Sequence, residues 1–294
     1  MIMPNDLARA NTNIARVPPG LGVVSRLPRD ARVYQIAFLA TLLTLGVLAR
    51  DFSLRPEQML LCFAAGLTTQ AFWVHALRLG NVRWLSPLVT CLGISLLLRA
   101  DSMWVHPLAA GLAISAKFTL RVAEKHLFNP ANFGVIVSLI ALPGAWVSPG
   151  QWGNDLAYAL WFIALGGLVT QRARRWDVSW VFLGTWLGLV AFRTLWLGQP
   201  TLIWWHQLQS GALLLFSFFM ISDPMTIPNR RAPRVLYAMA VAGLAFIWQF
   251  MWFKTNALLW SLFLCAPVVP GLDRIWPGAK AMWINSESGE TREG

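Results

Sequence analysis

Along the 294 residues, long apolar stretches alternate with short polar segments rich in proline and arginine. A helix that crosses a bilayer needs about 20 mostly apolar residues, fewer where it is interrupted. Ten stretches fit, at roughly 33–49, 57–77, 84–98, 104–120, 130–147, 155–170, 178–197, 203–222, 234–251 and 255–271. The third is short. Lipid offers the backbone no hydrogen-bond partner, so the pattern predicts an all-α membrane protein. It divides the chain into an N-terminal segment 1–32, a ten-helix domain 33–272 and a polar tail 273–294. Residues 1–32 are polar, basic and interrupted by Pro18, Pro19 and Pro28. With no small-residue cleavage site after the first apolar run, the first helix is expected to be retained.

Composition agrees. Hydrophobic residues make up 56% of the chain and charged ones 13%, against about a quarter charged in soluble domains. Seventeen tryptophans outnumber three tyrosines, and Trp84, Trp104, Trp161, Trp176, Trp180, Trp204 and Trp283 sit at ends of apolar runs, as rings at a bilayer interface do. The net charge of +11 is distributed unevenly. If the ten spans are threaded in order, 19 of the 24 Lys and Arg fall on one side; the other side keeps Arg50, Arg55, Arg99, Arg193 and Lys254. The positive-inside rule then puts both termini in the cytoplasm, of a multi-pass protein in a bacterial-type inner membrane. Charges placed between apolar runs form no stripe on a soluble face, which excludes nucleic acid as a partner and leaves the lipid bilayer. Cys62, Cys91 and Cys265 lie inside apolar segments without metal-ligand or disulfide spacing, so no metal site is expected. No G-x-S-x-G or H-E-x-x-H motif signals a hydrolase.

Ten helices split into halves of five, about 33–147 and 155–271, and an odd number per half makes any internal repeat an inverted one. Residues 90–105 laid over 212–227 match at Leu92/Leu214, Ser95/Ser217, Asp101/Asp223 and Met103/Met225. In inverted-repeat folds, ligands gather where helices are broken, because free amides cannot face lipid and helix ends carry oriented dipoles.

Two polar loops are therefore the places to search. In 117–134, Asn129-Pro130 reads as a helix start, with the Asn side chain capping free amides and Pro giving up an N–H that has no partner. Asn132 lies three residues on, toward a similar side. Lys117 and His126 flank the turn. An ordinary capped helix with a snorkelling lysine and an interfacial histidine explains the same residues without a ligand. In 208–234, Ser210-Gly211 permits close helix approach, and Ser222-Asp223-Pro224, with Thr226 and Pro228, breaks the backbone. Asp223 either caps that turn, pairs with Arg230 or Arg231, or faces a ligand.

Three segments carry a resemblance: Ser86-Pro87-Leu88-Val89-Thr90, His126-Leu127-Phe128-Asn129-Pro130-Ala131-Asn132-Phe133-Gly134, and Phe219-Met220-Ile221-Ser222-Asp223-Pro224-Met225-Thr226-Ile227-Pro228. In these motifs, their order and the ten-span pattern, residues 33–272 resemble the RnfD membrane component of Rnf-type electron-transport complexes and its relative NqrB, a component of the sodium-pumping NADH:quinone reductase. The resemblance implies two inverted five-helix halves and bound flavin. One family flavin, an FMN, is bonded to the threonine of an S-G-A-T motif after helix five. Here that loop, Gly144 to Asp155, has no threonine, so covalent FMN is not expected. The resemblance instead implies a non-covalent flavin, riboflavin or FMN, near Asn129. Asn132, His126, Lys117, Thr90, Ser210, Asp223 and Thr226 complete the candidate set. His126 departs from the asparagine frequent there in the family. Short standalone relatives lacking the flavinylation loop resemble this chain more than the ion-pump components do.

The leading expectation is thus a membrane electron-transfer component that binds flavin or quinone, with partner subunits or a quinone as redox partners, and it admits a homo-oligomer. An inverted-repeat transporter or channel for a small molecule, without redox chemistry, is the alternative. Haem held by His75, His106, His126 and His206 is a weaker third.

Overall fold

A computed structural model describes residues 30–49, 55–148, 156–172 and 175–279. The N-terminal segment up to 29, Arg50, the far part of the Gly144–Asp155 loop, Arg174 and the tail from 280 lie outside the described residues.

The chain is mostly helical. Helix α1 spans Ala31–Ala49, α2 Pro56–Ala76 and α3 Leu85–Leu97. After α3 comes β1, Leu98–Ala100, then α4 at Val105–Thr119. A small hairpin, β2 Arg121–Val122 with β3 Lys125–His126, leads into α5 at Pro130–Ala141. Its turn places Ala123 and Glu124 at positive φ. Strand β4, Ala145–Val147, pairs antiparallel with β1. Next come α6 Leu156–Arg172, α7 Trp176–Trp196, α8 Leu202–Leu208 and α9 Gly211–Leu215, which continues as a π-helical segment Phe216–Met220. Helices α10 Arg231–Phe250, α11 Ala257–Cys265 and α12 Val269–Ile275 complete the described elements.

Among the described residues, five stretches are long and apolar enough to cross a membrane: Ala31–Leu48, Pro56–Ala76, Trp176–Trp196, Arg231–Phe250 and Ala257–Ile275. Shorter apolar helices, among them α3, α5 and the α9–π segment, lie between them. Helix α2 packs on α4 and α4 on α5, while α7 packs on α10 and α10 on α11; α5 touches α11. Small residues make the close crossing of α4 and α5 possible. Ala109 and Ala113 are fully buried, and a methyl group on Gly134 would stand 2.7 Å from the Ala109 carbonyl. Helices in lipid associate through such backbone approach because apolar side chains gain nothing by leaving lipid for protein.

Most predicted spans match the helices to within about three residues, and three differ for local reasons. The fifth, expected to 147, stops at Ala141, where the chain turns at Gly144 (φ 71°) to form β4. The eighth, expected unbroken over 203–222, is cut between α8 and α9. Ser210 sits there in extended conformation and starts a new helix, its hydroxyl accepting from the Leu213 N–H at 3.5 Å. The tenth passes through a 3₁₀ turn at Ala266–Val268 around Pro267, which has no N–H to give the helix.

Candidate functional site

Helix α5 starts, and the π segment ends, at the same end of the bundle. Asn129 begins α5 as foreseen: its Oδ1 accepts from the Asn132 N–H at 3.1 Å. The other half of its amide crosses to the second motif, Nδ2 donating to Asp223 Oδ2 at 3.3 Å and to the Met220 carbonyl at 3.4 Å. Asp223 folds its own turn. Its Oδ1 accepts from the Met225 N–H at 3.0 Å, and its carbonyl from the Thr226 hydroxyl at 3.2 Å. Of the sequence alternatives, capping holds and the partner is Asn129; among the described residues Asp223 makes no ion pair with Arg230 or Arg231. Arg231 instead lies over the Trp176 ring at 6.0 Å.

A second clamp braces this junction. Lys125 donates to Asp273 Oδ2 at 2.7 Å, to Asn229 Oδ1 at 3.3 Å and to the Ile227 carbonyl. Arg234 at the start of α10 pairs with Asp177 Oδ2 at 2.8 Å and also donates to the Asn229 carbonyl. The Asp-Pro loop is thereby held between α5, α7, α10 and α12.

Between the two motifs lies a narrow cavity of about 70 Å³. Its walls are apolar, including Leu39, Val89, Phe218 and Phe219, and its rim is polar: Gln35, Thr90, His126, Asn129 and Asp223. The structure thus brings together four of the predicted residues, from α3, β3, the start of α5 and the Asp-Pro loop. Lys117 stands next door, bonded to Gln70 Oε1 at 2.9 Å, in an adjoining cavity of about 270 Å³. The other three are elsewhere. Asn132 turns to α11 and donates to the Leu259 carbonyl at 3.2 Å. Thr226 is buried beneath its own turn. Ser210 lies at the opposite end of the bundle, in a cavity of about 300 Å³ with Gln207, Trp186 and Asn256. That cavity and the first share Leu97, Leu215 and Met220 in their walls.

Sequence reasoning singled out neither Gln35 nor Arg32. Both line the first cavity from the start of α1. Gln35 donates to the Phe219 carbonyl at 3.5 Å, and Phe38 stacks on Phe219 at 4.7 Å. A lone amide inside an apolar span is the signal that could have found it, since it must meet a polar partner in the bundle.

Burial sets the charge of the rim. It raises the Asp223 carboxyl above the usual carboxylate range, against the opposing pull of the Met225 N–H and the charges of Lys125, Lys117 and Arg32. It pushes His126 down to about 3, aided by the positive charges of Lys117 and Arg121. Among the described residues His126 Nδ1 is buried without a hydrogen-bond partner. A histidine with a depressed folded pKa stabilises the fold above its unfolded pKa, near 6.5, and loses that contribution as pH falls toward the folded value. The wild-type melting temperature is therefore expected to drop between pH 6.5 and 4 more steeply than that of His126→Gln. Equal slopes for the two proteins would refute this assignment.

Residues 147–280 match the NQR2, RnfD, RnfE family. The chain is similar to the RnfD-type component of the ion-translocating oxidoreductase complex from Vibrio vulnificus strains YJ016 and CMCP6, 30% identical over 179 residues. That alignment covers 60% of this chain and 49% of the relative. The namesake component from Tolumonas auensis is 34% identical over 68 residues, 23% of this chain and 20% of its own. The chain spans about half the length of the Vibrio relatives it matches. With its apolar helices it is a multi-pass membrane protein, and its second half is similar to the NQR2, RnfD, RnfE family.

Proposed function

We propose that the protein is a membrane electron-transfer component of the RnfD and NqrB type, holding a non-covalent flavin or a quinone where the Asn129 and Asp223 loops meet. The observation that carries this is the direct bond between the two motifs, Asn129 Nδ2 to Asp223 Oδ2, beside an apolar slot with a polar rim. The residues fit such a ring. Phe218 and Phe219 offer flat apolar faces and Val89 an aliphatic one, Thr90 and Asn129 offer polar groups for ring edges, and among the described residues His126 Nδ1 is buried without a partner. The slot is smaller than the usual ligand pocket of about 300 Å³ or more. Entry therefore requires side chains to move, and the flexible thioethers of Met220 and Met225 line it. A bound flavin or quinone would supply one- and two-electron chemistry. The protein's share is to exclude water, orient the ring and set its potential through the raised-pKa carboxyl of Asp223.

In this reading the chain crosses the membrane ten times in two inverted halves of five, with both termini cytoplasmic. The packing favours it: α2 on α4 and α4 on α5 in one half correspond to α7 on α10 and α10 on α11 in the other. Asn129 before α5 has its counterpart in Asn256 before α11. The printed names of the relatives suggest partner subunits of an ion-translocating oxidoreductase complex.

The test is the visible absorbance of detergent-purified protein, alone and after incubation with flavin. Bound flavin is expected, and Asn129→Ala should lower its occupancy several-fold, while loss of the cap costs about 1 kcal/mol of stability. Colourless protein that takes up neither flavin nor quinone would sink the proposal. One observation favours the transporter alternative: cavities from opposite ends meet at Leu97, Leu215 and Met220. Solute flux in liposomes with no flavin bound would select it.

A further inference from the structure

The cavity beside the slot has a different chemistry. It shares Arg32, Ser86, His126 and Met225 with the slot and continues from it toward the end of the bundle. Four cationic side chains line it, Arg32, Arg83, Lys117 and Arg121, drawn from α1, the α2–α3 loop, α4 and β2. Among the described residues no carboxylate does. Arg32 is paired with Asp30 at 2.6 Å. Among the described residues, the Lys117 ammonium donates to the neutral Gln70 and the Arg121 guanidinium to the Glu124 carbonyl at 2.8 Å.

Basic residues that merely obey the positive-inside rule reach out to water, where their mutual repulsion is screened. Here they converge on one concave space of about 270 Å³. Lys117 and Arg32 are turned inward, and Arg32 is only 7% exposed. Asp30 offsets the charge of Arg32, but the cations gathered beside it repel one another, and a bound anion offsets that repulsion through charge-assisted hydrogen bonds. Asn81 and Ser86 add neutral polar groups to the same wall. A phosphate group suits the donor set, since arginine recognises it through two parallel N–H groups and lysine as a point charge.

We propose that this basic vestibule, built by Lys117, Arg121, Arg83 and Arg32, is a recognition site for a phosphate group. Two sources carry one: the phosphate of FMN whose ring occupies the slot, or the headgroup of an anionic phospholipid. The FMN source rests on the flavin reading above, and would make the preferred flavin the phosphorylated form. The lipid source does not.

The experiment measures riboflavin and FMN binding to the full-length detergent-purified chain by fluorescence quenching. Native mass spectrometry on the same preparation compares retained phosphatidylglycerol with phosphatidylcholine. Wild type is set beside Lys117→Gln and Arg121→Gln, the second an exposed position that leaves packing untouched. FMN is expected to bind at least ten-fold more tightly than riboflavin, with an advantage that salt weakens. Both variants should erase it, and Arg121→Gln should do so without changing riboflavin affinity. Retention of phosphatidylglycerol over phosphatidylcholine, lost in both variants, supports the site with lipid as the source, whatever the flavins do. Equal riboflavin and FMN affinity with no lipid preference overturns the site and leaves the flavin reading intact. If neither flavin binds and neither lipid is preferred, both fall.

Discussion

Arg234→Met is expected to destabilise the protein by about 3–5 kcal/mol, the range for removing one partner of a buried ion pair. Arg234 and Asp177 are 8% and 7% exposed, and their guanidinium and carboxylate groups meet at 2.8 Å. Without the arginine, a carboxylate is left inside the bundle with its main counter-charge gone. The Asn229 carbonyl loses a donor at the same time, so the Asp-Pro loop should loosen and ligand binding weaken with it. Thermal unfolding in detergent reads the first effect and flavin uptake the second. Asp177→Leu combined with Arg234→Met should recover much of the lost stability, because a well-packed apolar pair avoids the desolvation cost. A double variant no better than the single one would show that the arginine acts through packing rather than charge.

Gly134→Ala tests the other critical contact. A methyl there would stand 2.7 Å from the Ala109 carbonyl oxygen, 2.9 Å from the Ala113 methyl and 3.3 Å from Ile94 Cδ1. Two of these belong to the body of a neighbouring helix and cannot rotate away. The α4–α5 crossing must widen, at an expected cost of about 1–3 kcal/mol, the usual range for overpacking. Gly184→Ala in α7 is the control: nothing lies within 4 Å of the added methyl, so its melting temperature should hold or rise. A Gly134→Ala protein that melts like wild type would mean that the helices are not packed this closely.

Helix positions were legible because lipid imposes one demand on every spanning segment, and the run from Ile36 to Leu48 meets it as plainly as that from Val235 to Phe250. The Asn129 cap was legible too, since the Asn-Pro pair encodes both the capping group and the permissible missing donor. Asp223 and Asn129 could each be singled out, but their bond spans 94 positions of sequence, and no local pattern reports a contact of that separation. Asn132 misled for a geometric reason: spacing of three on a helix sets the two side chains about 60° apart, enough to turn one to the cavity and the other to α11. Ser210 was grouped with Asp223 by closeness in sequence, yet the helical stretch Gly211–Met220 lies between them and carries them to opposite ends. The basic vestibule was hidden because the positive-inside rule already explained every arginine in it.

Leu97, Leu215 and Met220 form the wall common to the two opposed cavities. If both cavities admit water, the membrane potential falls mainly across these three side chains rather than over some 30 Å of hydrocarbon, to within about the usual core thickness. A charge passing this point would then feel most of the driving force, about 2.3 kcal/mol per elementary charge for each 100 mV. The thickness of that partition, more than the number of helices around it, would govern how strongly the protein responds to voltage.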